Sequence, residues 1–174
     1  MTYWMPPAKP AKRKVFISYY HRGDQGWFDY LTRLFGDIYE IFYDQSLDGR
    51  VRSDDPEYVN RRIREDYIVG SSLTIVLCGA ETWKRKYVDW EIYSTLHHEH
   101  ALLGIALPTA VKGDKGSTVV PARLHANVES GYAYWMHWTE DPALVQSGVE
   151  AAIERSRNAR LIDNSLPKMT RNRP

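Results

Sequence analysis

The sequence predicts an α/β fold in which a parallel sheet of about five strands carries helices on both faces. Short apolar runs rich in β-branched residues alternate along the chain with longer segments in which apolar residues recur at helical spacing. The run at 73–78 is apolar along nearly its whole length, which is typical of a strand buried on both faces of a parallel sheet. We therefore expect a doubly wound sheet with flavodoxin-like strand order.

Composition and charge favour one cytoplasmic domain. A chain of 174 residues is long enough for a sizeable core, and we expect a flexible leader over 1–13, a single domain over 14–160 and a basic, disordered tail over 161–174. The formal charge of +1 predicts no binding to nucleic acid or acidic membranes, and no apolar run approaches the ~20 residues of a membrane span. Cys78, the single cysteine, lies in an apolar strand and is expected to be structural, as in a reducing compartment.

The first half of the domain contains three of the predicted strands. We expect strands at 14–18, 39–44 and 73–78, loops at 19–26 and 45–55, and helices at 27–35 and 56–69. Asp24 or Gln25 is the candidate cap of the first helix, and Gly36 ends it. Pro56 suits the first turn of the second helix.

The second half begins with the helix that organises the rest. We expect a helix at 81–96, a strand at 102–108 and a turn at 112–117. Residues 118–124 then lead into an irregular stretch, which is followed by a short strand at 134–138 and a helix at 142–160. At roughly 100° per residue, Trp83, Tyr87, Trp90 and Ser94 share one stripe of the helix at 81–96.

Val88 and Ile92 form a second apolar group further round the helix. Glu91 lies between that group and the stripe, where its carboxylate cannot point fully to water. Burying an unpaired carboxylate is costly, so Glu91 either has a partner or lines a cavity in which its charge is used. The candidate partners are a strand-end amide and the arginines Arg61, Arg62 and Arg64. Position alone leaves these alternatives open.

Ligands of doubly wound sheets bind beyond the carboxyl ends of the strands. That edge gathers the segments 18–24, 44–55 and 79–83 together with Glu91. Aromatic rings and polar groups would therefore surround one carboxylate, which is the composition expected of a ligand cleft.

Several other sites are disfavoured by the residues. A receiver domain needs acidic residues after the first and third strands, where this chain has Ser18 and Cys78-Gly79. The segment 113–117 lacks the spacing of a phosphate loop, and Gly-x-Ser-x-Gly is absent. The histidines at 97–100 have no second ligand cluster, so we expect a solvated helix end and no metal site. A nuclease would need clustered acidic ligands, which 54–57 imitates only weakly.

Together, five parts of the chain resemble a Toll/interleukin-1 receptor (TIR) domain. They are 14–21 (KVFISYYH), 41–44 (IFYD), 72–77 (SLTIVL), Trp83 and 87–92 (YVDWEI). The likeness spans about 14–107 and is closest to the bacterial TIR-like group that includes the TIR protein of the Thoeris anti-phage system.

The resemblance implies cleavage of the nicotinamide–ribose bond of NAD, with NAD as substrate and no cofactor. It further implies that a cyclic ADP-ribose isomer is the signal product in anti-phage defence and that a downstream effector senses it. Glu91 takes the catalytic role. The implied substrate-binding residues are Ser18, Tyr19, Arg22, Gly23, Asp44, Gly79, Trp83 and Tyr87. Tyr19 and Trp83 would stack on the rings of NAD, and either Arg22 with Gly23 or Arg50 of the loop at 45–55 would face its pyrophosphate.

The resemblance also implies self-association through the loop at 45–55, because family sites are often completed across a subunit contact. The competing hypothesis is a non-enzymatic TIR-like interaction module that uses this loop and exposed aromatic residues. The presence of Glu91 at the position of the family's glutamate distinguishes the enzyme from the interaction module, since an adaptor does not require that residue.

Overall fold

A computed structural model describes residues 12–43, 58, 62 and 66–174. Residues 1–11 of the expected leader lie outside this range. So do Asp44, the loop expected at 45–55 and most of the helix expected at 56–69. Within the described part of that helix, residues 58, 62 and 66–70 are helical. None of the described helices is both long and apolar enough to cross a bilayer.

The described residues form a five-stranded sheet in which every pair of neighbouring strands is parallel. Its strands are β1 (Arg13–Ser18), β2 (Tyr39–Tyr43), β3 (Leu73–Cys78), β4 (Ala101–Ala106) and β5 (Tyr134–His137). The strand order is β2-β1-β3-β4-β5. This order confirms the predicted doubly wound α/β fold, and it places the carboxyl ends of β1 and β3 side by side at the centre of the sheet.

Helices cover both faces of the sheet. Those whose bounds the structure describes in full are α1 (His21–Phe35), α2 (Lys86–His97), α3 (Ala122–Glu129) and α4 (Pro142–Ser156). Apolar residues of α1 and α4 form one core with β1, β3 and β4, and those of α2 and α3 form a second core on the opposite face. Every residue of β3 is buried, as its apolar run predicted. Cys78 is among them and forms no disulfide.

Helix α1 begins at His21, six residues before the predicted start at Trp27. The amides of Gly23 and Asp24 both donate to the carbonyl oxygen of Tyr20, at 3.1 and 2.8 Å, so the chain turns directly from β1 into the helix. The expected loop at 19–26 and the expected cap at Asp24 or Gln25 are therefore wrong. Glycine disfavours a helix interior by about 1 kcal/mol, and local propensity consequently misplaced this end.

The helix predicted at 81–96 is interrupted at Arg85. A 3₁₀ turn covers Thr82–Lys84, Arg85 is extended (φ −93°, ψ 117°), and α2 begins at Lys86. Trp83 therefore does not share a helical stripe with Tyr87.

Helix α3 occupies part of the stretch expected to be irregular. Its inward face carries the polar residues Arg123 and Asn127, both fully buried, so the apolar periodicity that identifies helices is missing. The last predicted helix, at 142–160, ends at Ser156 and is followed by a 3₁₀ turn at Ala159–Leu161.

Residues beyond the last turn follow a defined path along α2, which corrects the expectation of a disordered tail over 161–174. The indole Nε1 of Trp90 donates to the carbonyl oxygen of Met169 (2.7 Å), and the amide of Met169 donates to Oδ2 of Asp89 (2.9 Å). Further along, the amide of Arg173 donates to the carbonyl oxygen of Lys84 (2.9 Å). Composition does not report such partners, because they lie about eighty residues away in the chain.

Candidate active site

Glu91 is buried on α2, with 4% of its surface exposed. Ser18, the last residue of β1, is 1% exposed and donates its hydroxyl to Oε2 of Glu91 at 2.5 Å. This hydrogen bond ties the carboxyl group of Glu91 to the carboxyl end of β1, which is next to the central strand β3. The first turns of α2 bring Glu91 there because their apolar residues, Val88 and Ile92, pack into the core on the same face of the sheet.

A cavity of about 270 Å³ opens beside this carboxylate. Its lining residues are Tyr19, Tyr20, His21, Arg22, Arg85, Tyr87, Val88, Glu91 and Asn172. They come from the junction of β1 and α1, the start of α2 and the C-terminal segment. Ligand pockets usually measure roughly 300–1,000 Å³, so the described part of this site lies just below that range.

Stacked rings form one wall of the cavity. Tyr19 lies nearly parallel to Phe28 (centroids 4.5 Å apart, 6°) and to His21 (4.2 Å, 10°). Its hydroxyl donates to Oε1 of Gln25 at 2.9 Å. Because Tyr19 is itself buried within this stack, His21 presents the more accessible ring to the cavity.

The rim of the cavity is cationic, in contrast to the buried carboxylate. Arg22 is exposed, and the guanidinium carbon of Arg85 lies 3.9 Å from the centre of the Tyr20 ring. Nη2 of Arg85 also donates to Oε2 of Glu81 at 2.8 Å. The cavity therefore joins a single carboxylate to aromatic faces and to two guanidinium groups.

Gly79 lies behind the cavity and does not line it. Its amide donates to Oγ1 of Thr82 (2.8 Å), and a Cβ at this position would overlap the carboxylate of Asp24. Asp24 is 2% exposed, and the hydroxyl of Thr82 donates to its Oδ2 at 3.1 Å. Burial raises the pKa of Asp24, and the hydrogen bond from Thr82 partly offsets that rise. Gly79 thus allows the start of α1 to approach the end of β3 closely.

Three other predicted residues, Ser18, Trp83 and Gly23, also lie outside the lining of this cavity, although Ser18 contacts Glu91, and a fourth lies outside the described residues. Trp83 donates its indole nitrogen to the carbonyl oxygen of Ala80 (3.2 Å), and its ring faces Lys84. Gly23 is in the first turn of α1, beneath the ring of Tyr20. Asp44 is the residue that the structure does not describe. Four predicted residues do line the cavity, namely Tyr19, Arg22, Tyr87 and Glu91.

Sequence reasoning missed five lining residues: Tyr20, His21, Arg85, Val88 and Asn172. Two of them had a signal, since Tyr20 and His21 directly follow the strand whose end was expected to form the site. Arg85 was hidden by the expectation of an unbroken helix, and Asn172 by the expectation of a disordered tail. Each of these errors concerned local structure rather than chemistry.

Neither the histidines nor the cysteine forms a second site in the described part of the chain. No group of three or more His, Cys, Asp and Glu side chains there is arranged to hold a metal ion. Helix α2 ends at His97, and Nδ1 of His98 lies 2.8 Å from the carbonyl oxygen of Ser94. Burial, together with the nearby charge of Asp24, raises the pKa of Cys78, so its thiol is unreactive.

Comparison with known proteins adds a family to this geometry. A family model described as the TIR-like domain of the Thoeris protein ThsB matches residues 16–112, which include Ser18, Arg85 and Glu91. Among solved structures, the chain is similar to the TIR domains of the activated Roq1 resistosome directly recognizing the pathogen effector XopQ. That match has 13% identity and a TM-score of 0.43, and it covers 88% of this chain and 93% of the other. A comparison with curated proteins finds no match.

Proposed function

Because this chain belongs to the family of TIR-like domains of the Thoeris protein ThsB, we propose that it cleaves the nicotinamide–ribose bond of NAD with Glu91 as the catalytic carboxylate. The observation that carries the proposal is the position of Glu91, buried, hydrogen-bonded by Ser18 and lining a cavity with aromatic and cationic side chains. A module that acts only in protein assembly needs no such carboxylate at the floor of a cavity.

Cleavage of the nicotinamide–ribose bond requires few catalytic groups besides the carboxylate of Glu91. Nicotinamide leaves as a neutral molecule from a cationic ring, so no general acid has to protonate it. The ribose develops oxocarbenium character as the bond breaks, and a fixed carboxylate stabilises that positive charge. In this mechanism Glu91 faces the sugar, and Ser18 holds one carboxylate oxygen in place so that little reorganisation is needed.

The cavity walls provide the contacts that NAD needs. His21 and Tyr87 offer ring surfaces, Tyr19 supports His21 from behind, and Arg22 faces the negative charge of the pyrophosphate. The volume of about 270 Å³ suits the nicotinamide riboside half better than the whole dinucleotide.

We further propose that the product is a cyclic ADP-ribose isomer that acts as a signal in anti-phage defence and is sensed by a downstream effector. What supports this proposal is the match of residues 16–112 to the TIR-like domain of the Thoeris protein ThsB. The single cysteine, buried and outside any disulfide, suits the reducing cytoplasm in which we propose that the enzyme works.

Glu91→Gln tests the catalytic assignment. We expect NAD turnover to fall by at least about 100-fold, since the variant keeps the size of the side chain but removes the charge that stabilises the transition state. Purified protein is mixed with NAD, and released nicotinamide is followed by chromatography. Circular dichroism and the thermal midpoint report whether the fold is intact.

Glu99→Gln is the matched control, because Glu99 is exposed just beyond the end of α2. It should leave turnover unchanged. Equal turnover by wild type and Glu91→Gln would end the catalytic assignment. If neither protein is active even with extract from phage-infected cells, the interaction-module hypothesis is favoured instead.

A further inference from the structure

The C-terminal segment ends against the turn that precedes α2. The amide of Arg173 donates to the carbonyl oxygen of Lys84, and the amide of Lys86 donates to Oδ1 of Asn172, both at 2.9 Å. These two hydrogen bonds lie on either side of Arg85 in the chain. We call Asn172 and Arg173 the C-terminal clamp.

Upstream contacts bring the clamp to this place. Trp90 and Asp89 of α2 bind the backbone of Met169, at 2.7 and 2.9 Å. The guanidinium of Arg173 also lies 5.9 Å from the centre of the Trp83 ring. The segment is thus anchored at its middle and at its end, and the side chain of Asn172 reaches the cavity lining.

Arg85, the residue between the two clamped positions, has a hydrogen-bond donor without a partner in the described part of the chain. Arg85 stacks on Tyr20 (3.9 Å) and pairs through Nη2 with Glu81 (2.8 Å), which fixes the plane of its guanidinium. Its Nε is buried and has no hydrogen-bond partner in the part of the chain that the structure describes. A buried N–H without a partner is unfavourable, so the hydrogen bonds of the Arg85 side chain are incomplete within the described residues.

The lining of the cavity carries charges of both signs. Glu91 contributes a carboxyl group, Arg85 and Arg22 contribute guanidinium groups, and the clamp contributes the neutral amide of Asn172. A phosphate oxygen is repelled by a carboxylate and attracted by a guanidinium group. The planar guanidinium, with donors in a fixed fork, matches the oxygens of a phosphate group.

We propose that Arg85 binds the diphosphate of the dinucleotide and that Asn172 is a positioning residue, which holds Arg85 in place by fixing the backbone of 84–86. The proposal rests on the proposed function in one respect, since the dinucleotide is the substrate named there. The C-terminal segment is then a working part of the site, and removing its clamp weakens substrate binding rather than chemistry.

The test compares Arg85→Gln and Asn172→Ala with wild type, with Thr170→Ala as the matched control. Thr170 is exposed in the same segment and lies outside the cavity lining. Calorimetric binding of ADP-ribose, which carries the diphosphate without nicotinamide, measures the subsite separately from turnover. We expect binding to weaken about tenfold in both variants and to be unchanged in Thr170→Ala.

Two further readouts separate positioning from a general structural role. Hydrogen exchange at the amide of Lys86 should accelerate in Asn172→Ala but not in Arg85→Gln, because only the former loses its acceptor. With NAD as substrate, KM should rise in both variants while kcat stays within about threefold of wild type, since Glu91 and Ser18 are untouched.

Each outcome decides something. If wild type binds ADP-ribose, the two variants bind it more weakly, and no nicotinamide is released from NAD, then the subsite stands and the proposed reaction fails. If wild type cleaves NAD but both variants bind ADP-ribose as tightly as wild type, the subsite is wrong and the reaction stands. Failure of wild type to bind ADP-ribose, or faster turnover after loss of the clamp, also overturns the inference.

Discussion

Two buried carboxylates lie at the carboxyl edge of the sheet, and their neighbours give them different roles. Glu91 accepts from Ser18 and lines the cavity. Asp24 accepts from Thr82, stands against Gly79 and is absent from the cavity lining. The same residue chemistry therefore lines the cavity in one case and joins α1 to β3 in the other.

At the scale of the residue, the buried carboxyl group of Asp24 predicts how the stability of the fold depends on pH. Because burial raises its folded pKa above the ordinary value of 3.8, the folded state holds this proton more tightly than the unfolded state does. The contribution of protonated Asp24 to stability is therefore complete below pH 3.8 and is lost as the pH rises through the raised folded pKa.

Asp24→Asn removes that titration while retaining an oxygen that accepts from Thr82. We expect the variant to unfold at higher urea concentration than wild type at pH 7, with the difference shrinking as the pH falls toward 4. Urea midpoints across this pH range measure it. Asp37→Asn, at an exposed turn, is the control and should follow wild type. A midpoint difference that does not change with pH would contradict the assignment to Asp24.

At the scale of the element, α2 is held in place by polar contacts as well as by its apolar face. Arg123 of α3 is fully buried and donates through Nε to Oδ1 of Asp89 (2.9 Å) and through Nη2 to Oδ2 (3.3 Å). Its other nitrogen contacts reach the C-terminal segment, at Asn164 (2.8 Å) and Pro167 (3.1 Å). One guanidinium thus joins three parts of the structure.

Arg123→Met should therefore destabilise the protein strongly. The substitution leaves the buried carboxylate of Asp89 without its cation, and breaking a buried ion pair in this way costs about 3–5 kcal/mol. Urea unfolding followed by circular dichroism measures the loss. Arg157→Met is the matched control, since Arg157 pairs with Glu154 on the surface, and such pairs contribute about 0–1 kcal/mol. Equal losses in the two variants would show that the buried network is not the cause.

At the scale of the whole molecule, the site is assembled from three regions that are far apart in the chain. The carboxyl end of β1, the start of α2 and the C-terminal segment meet around a cavity of about 270 Å³. That volume belongs to the described residues alone, and it is small beside the roughly 300–1,000 Å³ of most ligand pockets. We propose that a second copy of the chain extends the site through the loop at 45–55.

This proposal predicts that turnover depends on protein concentration. If sites are completed between copies, the NAD cleaved per chain should increase with protein concentration over an about thousandfold range and reach a plateau as the oligomer forms. Nicotinamide release and light scattering are measured on the same samples. An inert carrier protein, added to every dilution, controls for losses to surfaces. Constant turnover per chain from a monomer would mean that one copy is sufficient.

The amino-acid sequence by itself determined the fold class and the pair of residues at the centre of the candidate site, Ser18 and Glu91. The apolar run of β3 and the alternation of strands and helices depend on local pattern, so they could be read directly. Ser18 and Glu91 could be placed at the same sheet edge because the topology follows from that alternation. The polar position of Glu91 on an apolar helical face was also a local signal.

Only the tertiary structure decided where α1 begins, that the chain bends at Arg85 and which residues complete the cavity. It also decided the path of the C-terminal segment, where Asn172 and Arg173 bind residues 84–86. The physical reason is that these features depend on hydrogen bonds and ion pairs between residues distant in the chain, such as Arg123 and Asp89. Periodicity and propensity describe neighbours along the chain, and they carry no information about which distant polar groups will meet.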